Sequence, residues 1–429
     1  MSWLSDLVDQ HSELETPLSF WRWSALAAIS AILKDNIWLG RQIYNLYPNI
    51  YVMLHARSGL KKGPAVSMAK QMVQAVNNTE IISGRSSIQG ILKEMGQAKS
   101  MPGGKIQSKS TIFICSSELT SSIVEDPTAI KLLTDLYDRN YNVAEWRSLL
   151  KMETFDIKAP TVTMLTATNE AMAEGFIDRI AVKGGYFART FIIYEEQRNQ
   201  INSLAYPLDE PIDYKASAGY LHELAKLRGA IEPFSSLEEK GIFKYKRIKR
   251  GRKKERDVFF SEVGLRYDNW YEGFIKDWDE SLIEDTTGIL GRFGDSVLKV
   301  AILISLAAEP KLEISLEALE EAITLCEKLV GNVRRATLGK SADNNDASNA
   351  VRKTLLIEEL MRRDNHMITR AGLNKKYWMQ GNANDWDECV ASMEVAGVVK
   401  IESVGNNILF RMPDVVYEEY KRFMEGKMK

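Results

Sequence analysis

The chain has 429 residues, enough for two or three domains that each bury a core. Hydrophobic residues make up 45% and charged residues 27%, with a net charge of −2, so the balance is that of a globular protein and any basic site must be local. Three scattered cysteines (Cys115, Cys326, Cys389) and four histidines with no H-x-x-x-H or H-x-H pair argue against a disulfide framework and against a zinc site.

The first residues, "MSWLSDLVDQHSELE", carry acids ahead of any apolar run and do not read as a signal peptide. The longest apolar stretches, "ALAAISAIL" and "VAILISLAA", are too short for a bilayer, so no membrane is expected and a cytoplasmic setting fits. Residues 1–47 form an N-terminal helical segment, with a buried helix over about 16–34 and Pro17 in its first turn. Residues 48–210 alternate strand-like and helical runs, which predicts an α/β core with a largely parallel sheet. Its strands fall at 49–54, 110–119, 160–170 and 188–196, with a polar, Gly-bearing loop at 97–110. From 211 to 340 the pattern is helical, interrupted by a hairpin at 243–261. Residues 341–349, "SADNNDASN", read as a linker. Residues 350–429 then run in a helix–helix–helix–hairpin order that predicts a winged helix. Its candidate recognition helix, "NANDWDECVASMEVAG", is acidic, which weighs against deep major-groove reading and leaves a protein-contacting role open.

The strand at 49–54 leads through "LHARSGLKKG" into a helix reaching about Val76. A phosphate-cradling loop reads G-x-x-x-x-G-K-[ST], its backbone N–H groups around the phosphates and its lysine on the β/γ pair. Aligned on Lys62, this chain has Ala56 and Lys61 at the glycine positions and Gly63 at the hydroxyl position. Ser58, Gly59, Leu60, Lys61, Lys62 and Gly63 are the candidate nucleotide contacts; a solvated strand-to-helix turn is the plain alternative. The next buried strand, "TIFICSSEL", ends in Ser116-Ser117-Glu118, so Glu118 is a candidate to orient the attacking water. Ser117 stands where an aspartate helps to hold magnesium; Ser67 or Ser117 are the candidate substitutes. "TMLTATNEA" ends its strand in Thr168 and Asn169, candidates to sense the γ-phosphate. Arg189, before the strand "TFIIY", could complete a neighbour's site in trans, and Arg292 is a further candidate phosphate contact. The implied cofactors are ATP and Mg2+.

From Lys244 to Arg256, nine of thirteen residues are Lys or Arg, flanked by Phe243, Tyr245 and Phe259-Phe260. A basic hairpin with aromatic neighbours suits single-stranded DNA, with Lys246, Arg247, Lys249, Arg250, Arg252, Lys253 and Lys254 as contacts. A merely solvated charge run remains the alternative.

The order and wording of "TPLSFWRWSALAAISAIL", "LYPNIYVML", "SGLKKG", "SSIQGIL", "FICSSEL", "PTVTMLTATNEA" and "GGYFARTFIIYEE" resemble the helicase-like P-loop ATPases of prophages and mobile genetic elements. The resemblance covers roughly residues 15–310. It implies a RecA/AAA+ broad-class ATPase that forms a ring, expected as a hexamer, and acts in DNA replication on single-stranded or forked DNA beside a primase or initiator. It carries Gly59, Lys62, Glu118 and Arg189 over as functional positions. The departures at Ala56, Gly63 and Ser117 bear on metal handling and turnover more than on nucleotide binding, and keep a non-hydrolysing initiator, loader or scaffold as the alternative. A DNA-packaging or defence ATPase is not separable by sequence.

Overall fold

The computed structural model describes residues 2–83, 87–96, 99–100, 106–107, 109–117, 127–138, 145–149, 154–168, 185–201, 212–237, 244–250, 254–281, 288–338, 345–363, 365–377, 383–404 and 407–427. They divide into two compact units, Met1–Val333 and Arg334–Lys429. The first opens with helices α1 (Trp3–Asp9) and α2 (Leu18–Leu33), then strands β1 (Ile37–Gly40), β2 (Asn45–Leu46) and β3 (Tyr51–Ala56). Helix α3 (Lys62–Val76), β4 (Glu80–Ile82), α4 (Ile88–Gly96), and short strands β5 (Lys99–Ser100) and β6 (Ile106–Gln107) come after it. Next are β7 (Lys109–Ser116), α5 (Pro127–Asp138), β8 (Glu145–Leu149), β9 (Thr154–Thr168) and β10 (Thr190–Glu195). The chain then adds α6 (Tyr214–Leu224), β11 (Gly229–Ile231), β12 (Ser235–Ser236), β13 (Lys244–Arg250) and β14 (Lys254–Phe260). Helices α7 (Glu262–Ser281), α8 (Phe293–Ala308) and α9 (Leu316–Leu338) lead to the second unit.

The central sheet is a five-stranded parallel layer in the order β10-β3-β9-β7-β4, with β8 antiparallel against the first half of β9. Both its faces are covered, which is why its strands read as unbroken apolar runs. Tyr51, Met53, Ile112, Ile114, Val162 and Met164 enter one core with residues of α4 and α5. Their neighbours Val52, Leu54, Phe113, Cys115, Leu165 and Ala167 enter the other, against α2, α3 and α8. The two-residue period of the strand makes that division. Helix α2 is buried almost all round because it lies inside the larger core. Residues 1–47, the sheet and the helices up to Leu329 share that core, so the composition boundaries at 47 and 210 do not separate folding units.

The second unit consists of α10 (Asn345–Met361), β15 (Met367–Thr369), α11 (Arg370–Lys376), α12 (Ala383–Val395), β16 (Lys400–Val404), β17 (Asn407–Arg411) and α13 (Asp414–Lys427). Its antiparallel sheet runs β15-β17-β16 around a core with Trp386 and Phe410 fully buried. The second helix of the expected order, α11, is preceded directly by the strand β15 and capped by the Thr369 hydroxyl on the Gly372 amide. Of the expected linker, residues 341–344 lie outside the described residues, and Asn345–Asn349 already lie in α10, since Asn, Asp and Ser favour helix starts as well as loops. Among the described residues the three cysteines are buried thiols outside any disulfide, and no helix is long and apolar enough to cross a membrane.

Candidate nucleotide site

Strand β3 is flanked by β10 and β9 and opens into the loop Arg57–Lys61 at its carboxyl end. Gly59 takes φ +91 and Lys61 the left-handed φ +54 at the position where a phosphate loop has its second glycine. Helix α3 therefore starts without a side-chain cap, unlike α1 and α6, which Ser2 and Asp213 cap, and its first turn holds no acid. The first-turn amides of a helix have no intrahelical partner and carry the positive end of its dipole. Pro64 contributes no N–H, so the donors of this turn are the amides around Lys61–Gly63. The Lys62 ammonium curls back over the loop and donates to the carbonyls of Ala56 (2.7 Å) and Arg57 (3.1 Å).

Two chain segments hold this turn. Thr16 donates to the Lys61 carbonyl at 2.9 Å, and Glu15 pairs with Lys61 at 3.7 Å and with Arg198 at 2.8 Å. Arg57 donates to the Glu196 carbonyl at 3.2 Å. Leu60 is buried as an anchor, whereas Arg57, Ser58, Gly59 and Lys61 face solvent. Arg198 is a cation beside Gly59 that no sequence motif marks; a Cβ on Gly59 would stand 3.8 Å from its guanidinium. Only the strand pairing, which the sequence does not carry, places it there. Glu195 is level with Ala56, so the segment beyond β10 must flank the loop beyond β3.

The other candidates divide by sheet edge. Thr168 is buried at the carboxyl edge, level with His55, while Ser116 is level with Thr166 on the neighbouring strand. Ser117 is exposed just beyond β7, two strands from β3, or roughly 10 Å. Glu118 and Asn169 lie outside the described residues. Ser67 is exposed on α3 and accepts from Gln71 at 3.2 Å. It stands four residues, about 6 Å, along the helix from Gly63. A magnesium–oxygen bond is about 2 Å, so a metal on Ser67 would lie about one helical turn from one held at position 63. No group of three or more His, Cys, Asp or Glu able to hold a metal occurs among the described residues. The described part of the loop presents the amides around Lys61–Gly63 and the Lys62 ammonium.

Arg189 and Arg292 meet at the opposite, amino edge, about 20 Å from the loop along six residues of strand. Arg292 therefore makes no phosphate contact in its own chain. Both arginines bind Asp138 at the end of α5, a residue without any motif in the sequence. Arg189 donates from Nε at 3.1 Å and from Nη2, and also to the Gly185 carbonyl at 2.6 Å. Arg292 reaches both carboxylate oxygens, at 2.8 and 3.1 Å. Burial alone would raise the Asp138 carboxyl, but the Arg189 hydrogen bonds and the Arg292 charge outweigh it and hold the group below its ordinary range. Beside it, Lys299 is buried on the Asn49 carbonyl and amide oxygen, both at 2.9 Å, with its ammonium 3.8 Å over the Tyr137 ring.

Burial pulls Lys299 from 10.5 down to about 7, against the pull of Asp138 and Asp295. The unfolded chain keeps this proton up to the ordinary lysine value, so between the two it carries more protons and stability rises with pH. Lys299→Met flattens that rise; urea midpoints at neutral and alkaline pH measure it, and an unaltered slope would remove Lys299 from the account.

Of the hairpin candidates, Lys246, Arg247, Lys249 and Arg250 lie on β13 and Lys254 on β14; Arg252 and Lys253 fall outside the described residues. No protein-family model matches the chain, and no curated protein matches it.

Proposed function

We propose that the chain is a ring-forming, ATP-dependent motor on single-stranded DNA, a replicative helicase or translocase of a phage or mobile element in the RecA/AAA+ broad class. The observation that carries this reading is the strand order, which sets β9 between β3 and β7 and puts β10 on the other flank. Ligands of open parallel sheets bind beyond the carboxyl ends of the strands where the order reverses. Here that edge brings together the lysine loop, Thr168 and the end of the strand that runs into Glu118. In a motor of this class those are the places of the phosphate cradle, the sensor and the water-orienting acid. The loop amides and Lys62, whose ammonium now rests on the Ala56 and Arg57 carbonyls, would hold ATP, which would supply the reactive phosphoryl group.

Arg189 and Arg292 would serve a neighbour's nucleotide, since their own loop is out of reach. Arg292 is the more exposed of the two, at 33% against 9%, and Arg189 backs it through Asp138. A ring, six-membered by the resemblance and working beside a primase or initiator, supplies that neighbour.

Phosphate release measured with and without a single-stranded oligonucleotide tests the proposal, and stimulation by the oligonucleotide is expected. A second reading, a nucleotide-binding but non-hydrolysing initiator, loader or scaffold, is favoured by Gly63, by Ser67 one turn farther along, and by exposed Ser117 in the aspartate position. Normal oligonucleotide binding with no turnover would select it.

A further inference from the structure

The register of the β13–β14 ribbon sorts its charges onto two faces. Arg250↔Lys254, Ile248↔Arg256, Lys246↔Val258 and Lys244↔Phe260 are opposite pairs, and the two-residue strand period puts them all on one face. That face holds the positions of Lys244, Lys246, Arg250, Lys254 and Arg256, and none of an acid. On the other face Arg247 is opposite Asp257 and Lys249 opposite Glu255, so basic and acidic positions balance. At its root the basic face ends in Val258 and Phe260, and both line a cavity of about 740 Å³.

Its walls are aromatic. Tyr267 and Tyr271 stack at 5.9 Å and 9°, Phe234 tilts against Tyr267 at 5.9 Å, and the Arg41 guanidinium lies 5.6 Å from the Tyr267 ring. Helix α7 closes in because Gly264 has no Cβ; one added there would stand 2.3 Å from the Phe234 carbonyl oxygen. Ile43 and Leu237 in the lining are 87% and 56% exposed, so the cavity opens to solvent through apolar surface. Asp268 is its one carboxylate among the lining residues.

We propose that the basic ribbon face and this aromatic cavity form one continuous site for single-stranded nucleic acid, phosphates tracking the ribbon and bases entering the cavity. The inference rests on the partner class of the proposed motor and names where that strand lies. Same-face positions recur about every 6.7 Å along a strand, an interval comparable to the phosphate step of an extended single strand. Stacking on aromatic walls is the sequence-tolerant half of single-strand recognition, and a basic groove is the other half. An acidic peptide would use the ribbon but leave the cavity without an occupant, and a duplex would first have to unstack a base.

The test is fluorescence anisotropy of the full chain without nucleotide, using a thymidine oligomer and an abasic oligomer of the same length. Lys246→Ala/Arg250→Ala/Lys254→Ala weakens both oligomers and lowers the salt slope by about 2, at roughly 0.7 per lost phosphate contact. Arg247→Ala/Lys249→Ala changes affinity and slope far less. Gly40→Trp fills the cavity, because Gly40 lines it and an added Cβ meets nothing within 4 Å. That variant loses roughly tenfold on the thymidine oligomer, the scale of one stacked base, and nothing on the abasic one. The proposal is overturned by wild-type protein that binds neither oligomer, by equal losses from the two ribbon faces, by unchanged thymidine affinity in Gly40→Trp, or by polyglutamate competing as well as the oligomer. Because ATP is absent, a chain that binds as described but never releases phosphate sinks the motor and leaves this site standing.

Discussion

Under the motor reading, Lys62→Ala lowers ATP turnover at least a hundredfold, and it leaves the melting transition within a few degrees of wild type. The ammonium sits at the mouth of α3 on two loop carbonyls, at 2.7 and 3.1 Å, where a phosphate oxygen can replace either. Losing one preorganised donor to developing charge typically costs about a hundredfold to a thousandfold. The fold survives because α3 is anchored elsewhere, through Ala65, Val66, Met68, Ala69, Met72 and Val73 on its buried face. Neighbouring Lys61 serves as the control. Its contribution is a left-handed backbone and a partly exposed pair with Glu15, so Lys61→Gly relieves the φ strain and keeps turnover. Phosphate release and equilibrium nucleotide binding, taken beside a melting curve, measure all three properties. Unchanged nucleotide affinity and rate in Lys62→Ala would remove the loop from the site.

Much of the sheet was legible because both its faces are buried. Runs such as "IYVML" and "TIFICS", short and rich in β-branched and aromatic residues, read as central strands, and their ends in the structure fall within a few residues of the expected ones. Edge elements were not legible. Strand β4 is three residues long and partly exposed, and β8 pairs only with the first half of β9. Strand order was also beyond the sequence, since periodicity states which residues face a core and not which strands are neighbours. The Glu15–Lys61–Arg198 clasp depends on that adjacency. So does the meeting of Arg189 with Arg292, 103 positions apart, on a carboxylate that belongs to no motif. For the ribbon, the run of lysines and arginines announced its charge, but only pairing against Glu255 and Asp257 divides it into a basic and a balanced face.

Asp138→Ala produces the largest loss of stability, about 3 kcal/mol. Arg189 is 9% exposed and spends two of its donors on Asp138, so the variant leaves a buried guanidinium that, among the described residues, keeps its hydrogen bond to the Gly185 carbonyl. Breaking a buried pair by deleting one partner costs about 3–5 kcal/mol; the remaining carbonyl and the partial exposure of Asp138 put this case at the low end. Arg292→Ala costs about 1 kcal/mol or less, because Arg292 is 33% exposed and Arg189 keeps the carboxylate paired without it. The order of the two losses is therefore set by burial, not by the number of hydrogen bonds. The pH dependence tracks the same carboxylate: held below its ordinary range in the fold, it stabilises fully above the unfolded value and loses that contribution as pH falls through the folded one. Urea midpoints for wild type and Asp138→Ala thus stay apart at neutral pH and converge only in acid. Under the motor reading the two substitutions exchange rank in turnover, since Arg292, the exposed member, faces the neighbouring subunit while Arg189 acts through Asp138. A turnover assay at a temperature where both variants remain folded separates the roles. Arg292→Ala that hydrolyses like wild type would deny the arginine pair any part in a neighbour's site.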